Sequence, residues 1–348
     1  MRLMISTMRD EAPFVLEWIA YHRLIGFTDF LIYSNDCTDG TDALLDRLAA
    51  LGIVTHVPNP RQGKKAIQWQ ALTRAKDHPL FRAADWAMVA DVDEFLVIHA
   101  GDGRLDDLFA AMPEAEGFVV TWRMFGSGGI LRFDPAPVTS QFRRAAPDRM
   151  IWPLRASQVK TLFRVTPDVR RLGVHLPQGK AGAAIGAAWV DGNGARVRRR
   201  FGSFTISTEP KYALAQVNHY ALGSAENFLV KTRRGRPNRS DMAIDLAYWV
   251  ERNFNAVEDL SIQRHLPGIE AGIAALRADP EVARLHDAGI AHRRARIAAL
   301  LREHESFLLY SHLVQVPDTP VLPMEQQLAL CELRRHAQPD PKGRADEG

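Results

Sequence analysis

Residues 85–95 read D-W-A-M-V-A-D-V-D-E-F, and here the sequence first offers chemistry. An apolar run, Trp86 to Ala90, stops at three carboxylates, Asp91, Asp93 and Glu94. Carboxylates crowded at the end of an apolar segment repel one another and resist burial, so they call for a positive charge. Side chains on an extended segment alternate faces. Asp91 and Asp93 then share a face, roughly 7 Å apart by strand rise, and Glu94 points away. Two carboxylates on one face at a strand end suit a hard divalent cation, Mg²⁺ or Mn²⁺, that completes its shell with phosphate oxygens and water. A solvated acidic turn is the plainer alternative, because D-x-D is common by chance. Its place after a buried strand favours the metal.

The elements around this cluster alternate. Arg2–Thr7 reads as a strand and Ala12–Gly26 as a helix with one broad apolar face. Phe27–Tyr33 is a second strand, Asp42–Leu51 a helix, Ile53–Val57 a third strand, Lys65–Asp77 a helix, and Asp85–Ala90 the strand that ends in the acids. Such alternation predicts an α/β fold with a mostly parallel sheet covered on both faces. Ligands of such sheets sit outside the carboxyl ends of the strands. The turns at Arg9–Glu11, Asn35–Gly40 and Asp91–Phe95 all fall on that edge. Residues 117–220 hold short β-like runs (Phe118–Trp122, Lys160–Val165, Phe204–Thr208, Ala215–His219) with many Pro and Gly. Helical spacing returns at Asp241–Phe254, Gly268–Ala278 and from Glu281 to about Leu313, and a polar tail follows from about Gln338.

The formal net charge of +3 hides an asymmetry. Residues 1–142 carry 13 Lys/Arg against 19 Asp/Glu, whereas residues 143–211 carry 14 against 4. The basic part should attract anions, whether phosphates, an anionic polymer or a membrane surface. Two distant cysteines, Cys37 and Cys331, give neither a disulfide framework nor metal-ligand spacing, and fit a reducing cytoplasm. No run approaches the roughly 18–20 apolar residues of a membrane span.

Several stretches taken in order, M-R-D-E-A-P-F-V-L-E-W-I-A-Y-H-R-L-I-G-F, F-L-I-Y-S-N-D-C-T-D-G-T, the acidic stretch, W-R-M-F-G-S-G-G and N-H-Y-A-L-G-S-A-E-N-F-L-V-K-T-R-R-G, resemble a bacterial family 2 type glycosyltransferase of the branch related to family 92. The resemblance implies the GT-A nucleotide-diphospho-sugar transferase fold over residues 1–240, with a nucleotide-binding half to about 116 and an acceptor half beyond. Residues 241–337 would form a helical C-terminal extension, and 338–348 a disordered tail.

By the same resemblance Asp93 contacts the metal, and Asp91 the ribose or a metal-bound water. Glu94 stands behind the pair or faces solvent. His219 and His175 are candidates to complete the metal shell. Arg9 and Glu11 line the nucleotide, although Asp10 departs from the family's K-N-E pattern there. Capping of the next helix is the alternative role for Glu11. Asn35 and Asp36 meet the nucleobase edge, or make an Asx-turn. Lys231, Arg233 and Arg234 read as part of a flexible segment that neutralises the leaving diphosphate. Independently of the resemblance, Lys64, Lys65 and Gln68 open a helix where phosphate could sit, with a solvated surface as the equal alternative.

The resulting expectation is a metal-dependent transferase moving a sugar from a nucleotide-diphospho donor, a UDP-sugar first, to a hydroxyl of a glycan or glycolipid, with inversion. Mn²⁺ or Mg²⁺ is the expected cofactor. Glu226, Asp241 and Asp259 are alternative base candidates. A cytoplasmic place, up to peripheral contact with the inner face of the membrane, goes with such acceptors. Two rivals are a nucleotidyltransferase of similar fold and a non-catalytic binder of anionic polymers. The first would need a Gly-rich basic loop after the first strand, where this chain is acidic. The second leaves the acidic cluster unexplained, and no nucleic-acid-binding signature is present.

Overall fold

The computed structural model describes residues 1–63, 66–179, 182–183, 186, 188–197, 203–204, 207–234 and 244–337. The strands are β1 (Arg2–Met8), β2 (Asp29–Ser34), β3 (Thr55–Pro58), β4 (Trp86–Val89), β5 (Glu94–Ile98), β6 (Gly117–Met124), β7 (Val159–Arg164), β8 (Trp189–Asp191) and β9 (Ala215–His219). They form one sheet in the order β3-β2-β1-β4-β7-β6-β9-β5, with β8 added beside β6. β3, β2, β1 and β4 run parallel. β7 is antiparallel to both its neighbours, and β5 closes the far edge antiparallel to β9. The first half of the sheet is thus parallel and the second half mixed, an α/β arrangement as expected.

The sheet is buried on both faces, as period-two alternation requires. Leu3 and Ile5 of β1 look into one apolar cluster with Tyr33, Val89 and Phe163. Met4 and Met8 look into the other, with Ile32, Met88 and Val120. Helices α1 (Val15–Leu24), α2 (Thr41–Ala50), α3 (Ile67–Asp77) and α4 (Leu105–Ala111) cover it. Residues Val15 to His22 of α1 are all buried.

The later helices are α5 (Ala225–Arg234), α6 (Leu266–Arg277), α7 (Pro280–Leu300), α8 (His304–Gln315) and α9 (Met324–His336). α6 lies along α1. Gly272 permits the approach, since a Cβ there would come 2.8 Å from that of Ala20. Ile269, Leu276 and Val282 belong to the same cluster as Met4 and Ile32, so α6 and the start of α7 share the core of the sheet, whereas Ile297, Leu300 and Leu313 pack with Phe228 of α5 in a separate cluster.

Several sequence expectations need correction. The helix read from Glu281 to Leu313 is two, because Glu303 turns extended and starts α8 afresh. The Lys231 stretch read as flexible lies in helix α5. Of the helix read over Asp241–Phe254, the described part is helical only over the five residues Leu246–Val250. Lys64, Lys65, Asp241 and the tail 338–348 lie outside the described residues, as does the side chain of Arg234.

Candidate active site at the acidic turn

The parallel strands deliver their ends to one edge. Met8 pairs with Ser34, and Ser34 with Pro58, while Ile5 pairs with Val89. The chain then departs as Arg9–Glu11, Asn35–Asp36, Asn59 and Asp91–Glu94.

The acidic stretch is a tight turn, not an extended segment. The Glu94 amide donates to the Asp91 carbonyl at 3.1 Å, and the Asp91 amide to Glu94 Oε2 at 2.9 Å. Glu94 does not face solvent: it opens β5 and is wholly buried. Lys160 of β7 is the reason. Its Nζ, also wholly buried, donates to Glu94 Oε2 at 2.9 Å and to Asp91 Oδ2 at 3.2 Å. Burial pushes the Glu94 carboxyl up to about 8 against the pull of Lys160. Burial alone would lower the Lys160 amine, but Asp91 and Glu94 outweigh it and hold it above its ordinary value. Gln68 of α3 donates to Asp91 Oδ1 at 3.0 Å.

Asp93 has its own amine. Lys231 of α5 donates from Nζ to Asp93 Oδ2 and to the Ala221 carbonyl, each at 2.7 Å. His219, the last residue of β9, holds Nε2 at 3.8 Å from Asp93 Oδ1. Burial drives its pKa down to about 3, so the imidazole is neutral at ordinary pH. The positive charges that the acidic run calls for are therefore partly built in, as one lysine for each aspartate.

A cavity of about 40 Å³ opens here, with Glu11, Phe14, Asp93, Tyr220, Lys231 and Arg293 in its wall. It has room for about three waters at some 10–15 Å³ each, not for a sugar. A larger hollow of about 310 Å³ lies at Met1, Asp85 and Trp86, where β1 and β4 begin. Ligands of parallel sheets gather at the opposite ends of the strands, so the smaller cavity marks the site.

The remaining candidates divide. Glu11 is buried in the cavity wall, and its amide donates to Thr41 Oγ1 at 2.9 Å. Arg9 lies beside Asp10, at 3.8 Å. Asp10 takes φ +54°, a left-handed conformation that Asn and Asp adopt more readily than most residues. Asn35 is spent on structure: its Nδ2 donates to the Met8 carbonyl at 3.2 Å, and its Oδ1 accepts from Asn59 at 2.7 Å. Asp36 next to it is exposed at φ +47°.

Arg233 points to α8, donating to Glu303 at 3.1 Å and Ser306 at 2.9 Å. His175 donates from Nδ1 to the Val159 carbonyl at 2.9 Å. Trp122 separates it from His219, with ring centres 5.5 and 4.1 Å away. Glu226 accepts from the Phe133 amide at 2.8 Å. Asp259 faces Arg123 at 3.1 Å and accepts from Gln216 at 2.7 Å. Burial would raise Asp259, but Arg123 and its hydrogen bonds hold it below the usual range. Gln216 and His219 point to opposite faces of β9, which places Asp259 across the sheet from the acidic turn.

For a divalent cation, Asp93 and His219 are the donors that fit: a carboxylate oxygen facing a neutral imidazole nitrogen. Asp91 is engaged by Lys160 and Gln68, and His175 by Val159. Among the described residues no group of three or more His, Cys, Asp or Glu converges. Hard cations often take only one or two protein ligands beside phosphate and water, so this pair suffices for the fit.

Sequence reasoning passed over Lys160, Glu17 and Arg293. Lys160 carries a legible signal, a lone lysine inside the apolar run Val159–Phe163, since lysine is almost never fully buried unpaired. Glu17 sits in a wholly buried helix stretch and accepts from the Val138 and Thr139 amides at 2.8 and 3.0 Å, which fixes the loop carrying Val138 to the cavity wall. Burial lifts Glu17 to about 7. Arg293 gives no signal within an arginine-rich helix.

The fold is a helix-covered mixed α/β sheet with an acidic turn at the carboxyl edge of its parallel strands. The family model for glycosyltransferase family 92 matches residues 5–179, and the chain belongs to that family. A glycosyltransferase family 92 protein of Oryza sativa subsp. japonica is 26% identical over 151 residues, covering 41% of this chain and 25% of that protein. One of Ricinus communis is 29% identical over 98 residues, covering 28% of this chain and 17% of that protein. The chain thus spans a quarter or less of the length of these relatives. The crystal structure of S. aureus TarS 1–349 covers 97% of this chain and 92% of its own, at 13% identity and a TM-score of 0.33.

Proposed function

We propose that the chain transfers a sugar from a nucleotide-diphospho donor, a UDP-sugar first, to an acceptor hydroxyl. The observation that carries this reading is the acidic turn at the carboxyl edge of the parallel strands, each aspartate faced by a lysine. Asp91 is held rigid by Lys160 and Gln68. Asp93, with His219, would hold a divalent cation, which when bound supplies charge to the donor's diphosphate. Negative charge grows on the leaving diphosphate in the transition state, and cations already in place lower that barrier. Lys231 is the nearest such group, in the cavity wall. Admission of a diphosphate requires the small cavity to widen and Lys231 to exchange Asp93 for phosphate oxygens. Inversion requires a carboxylate base at the acceptor hydroxyl. Of the described candidates Glu226 is favoured, since it neighbours Asn227 of the cavity wall and Asp259 is neutralised by Arg123. A glycan or glycolipid acceptor at the inner face of the membrane belongs to the same proposal. Among the described residues no helix is long and apolar enough to cross a membrane.

The test is a screen of nucleotide-diphospho-sugars, with Mn²⁺, for released nucleoside diphosphate and glycosylated product. Asp93→Asn should lower turnover by about a hundredfold or more, the size typical of a lost electrostatic contact in a transition state. Glu226→Gln should lower kcat and leave donor binding intact. Full turnover in Asp93→Asn would refute the assignment of the site.

A further inference from the structure

We infer that Arg293, on the C-terminal helix α7, is a positioning residue of the transfer site: it ties the turn after β1 to helix α5, and so sets where Glu11 and Lys231 stand. The inference rests on the transfer reading above. It concerns a part of the chain beyond residues 5–179, where the family match ends.

One face of α7 is built against the β1–α1 turn. His286 accepts at Nδ1 from Arg277 at 2.7 Å, so its Nε2–H donates to the Pro13 carbonyl at 3.2 Å. Gly289, one turn on, lies against Ala12, and a Cβ there would come 2.4 Å from the Ala12 Cβ. Arg293, one further turn on, donates from Nη2 to the Asp10 carbonyl. Steps of three and four residues keep these on one helix face. All three meet residues 10–13, the turn that carries Glu11 into the cavity.

Arg293 also reaches the other side. Its Nη1 donates to Asn227 Oδ1 at 2.9 Å. Asn227 stands one helical turn before Lys231 on α5, the residue whose amine meets Asp93. The guanidinium lies 5.3 Å from the Phe14 ring centre, and the residue is 3% exposed. Asp10 needs such a brace because it holds φ +54°, a conformation that costs energy unless its surroundings fix it. A planar fork with two separated donors serves the carbonyl and the carboxamide at once, and a lysine's single ammonium does not reproduce that geometry.

The test uses the full chain with Arg293→Met and Arg293→Lys, and Arg296→Met on the exposed face of α7 as control. In Arg293→Met, amide exchange at residues 10–14 and 225–231 should rise together by about tenfold, because one brace holds both. With the UDP-sugar that the wild type turns over, kcat/KM should fall about a hundredfold, the effect of a small misplacement of reacting groups. Arg293→Lys should recover less than half of the protection, and Arg296→Met should match the wild type. A lower melting temperature with exchange at both segments and kcat/KM per folded molecule unchanged would overturn the inference. So would exchange that rises in α7 alone. If the wild type turns over no nucleotide-sugar, the transfer reading fails, and the paired exchange still decides whether Arg293 is the brace.

Discussion

Lys160 sets the state of the acidic turn. Deleting one partner of a buried ion pair leaves the other uncompensated and costs about 3–5 kcal/mol, whereas removing both can be nearly neutral. Above pH 8, where Glu94 is ionised, Lys160→Met should therefore lower unfolding stability by about that amount in denaturant titrations, and Lys160→Met with Glu94→Gln should regain most of it. A single variant as stable as the wild type would show that the buried amine is not a counter-charge. The same residues shape the pH response. Burial raises Glu94 from 4.5 to about 8 and Glu17 from 4.5 to about 7, so above pH 4.5 the folded chain holds protons that the unfolded chain releases. Stability from these groups is complete at low pH and is lost as pH rises through their folded values. Burial lowers His219 and His22 from 6.5 to about 3, which gives stability above 6.5 that is lost on acidification. Above pH 6.5 the glutamate effect dominates, opposed near pH 8 by Lys211, whose amine burial lowers from 10.5 to about 8, and stability should fall by on the order of 1–2 kcal/mol between pH 6.5 and 8. Urea unfolding at the two pH values checks this, and Glu94→Gln should flatten most of the slope.

Among the elements, the contact between α7 and the β1–α1 turn is the one the site leans on. Alanine normally improves a helix over glycine by about 1 kcal/mol. At position 289 the sign should reverse, because the added methyl would meet the Ala12 Cβ at 2.4 Å and neither group can swing away. Gly289→Ala should cost about 1–3 kcal/mol, as overpacking does, read as a lower thermal midpoint. A gain in stability would mean that α7 does not rest on the turn. The strands and helices of the first third were legible because their periods are clean: β1, α1, β2 and α2 fall within three residues of the boundaries read from sequence. β5 was not legible, since it begins at Glu94, a charge that alternation assigns to solvent, and only Lys160, 66 residues away, makes its burial tolerable. The end of α7 was not legible either, because no proline or glycine marks the break at Glu303. Asp91 and Asp93 could be found from sequence because they are local. Their lysines could not be paired with them, because Lys160 and Lys231 reach them through a sheet order and a helix packing that no local pattern encodes.

On the scale of the whole molecule, the sheet, α6 and the start of α7 share an apolar cluster, and sheet and C-terminal helices contribute to one cavity. β1, β4, β7, β9, α5 and α7 each send a side chain or a turn to the same cavity or its acidic wall. That convergence at the carboxyl edge of the sheet supports the proposal of a nucleotide diphosphate as ligand, with Asp93 as its proposed centre. The most direct measurement is calorimetric titration of UDP into the protein with Mn²⁺, without it, and into Asp93→Ala with Mn²⁺. Binding that needs the metal and disappears in Asp93→Ala is the expected result. Equal binding in all three titrations would mean that the acidic turn is not a metal–diphosphate site and would contradict the proposed function.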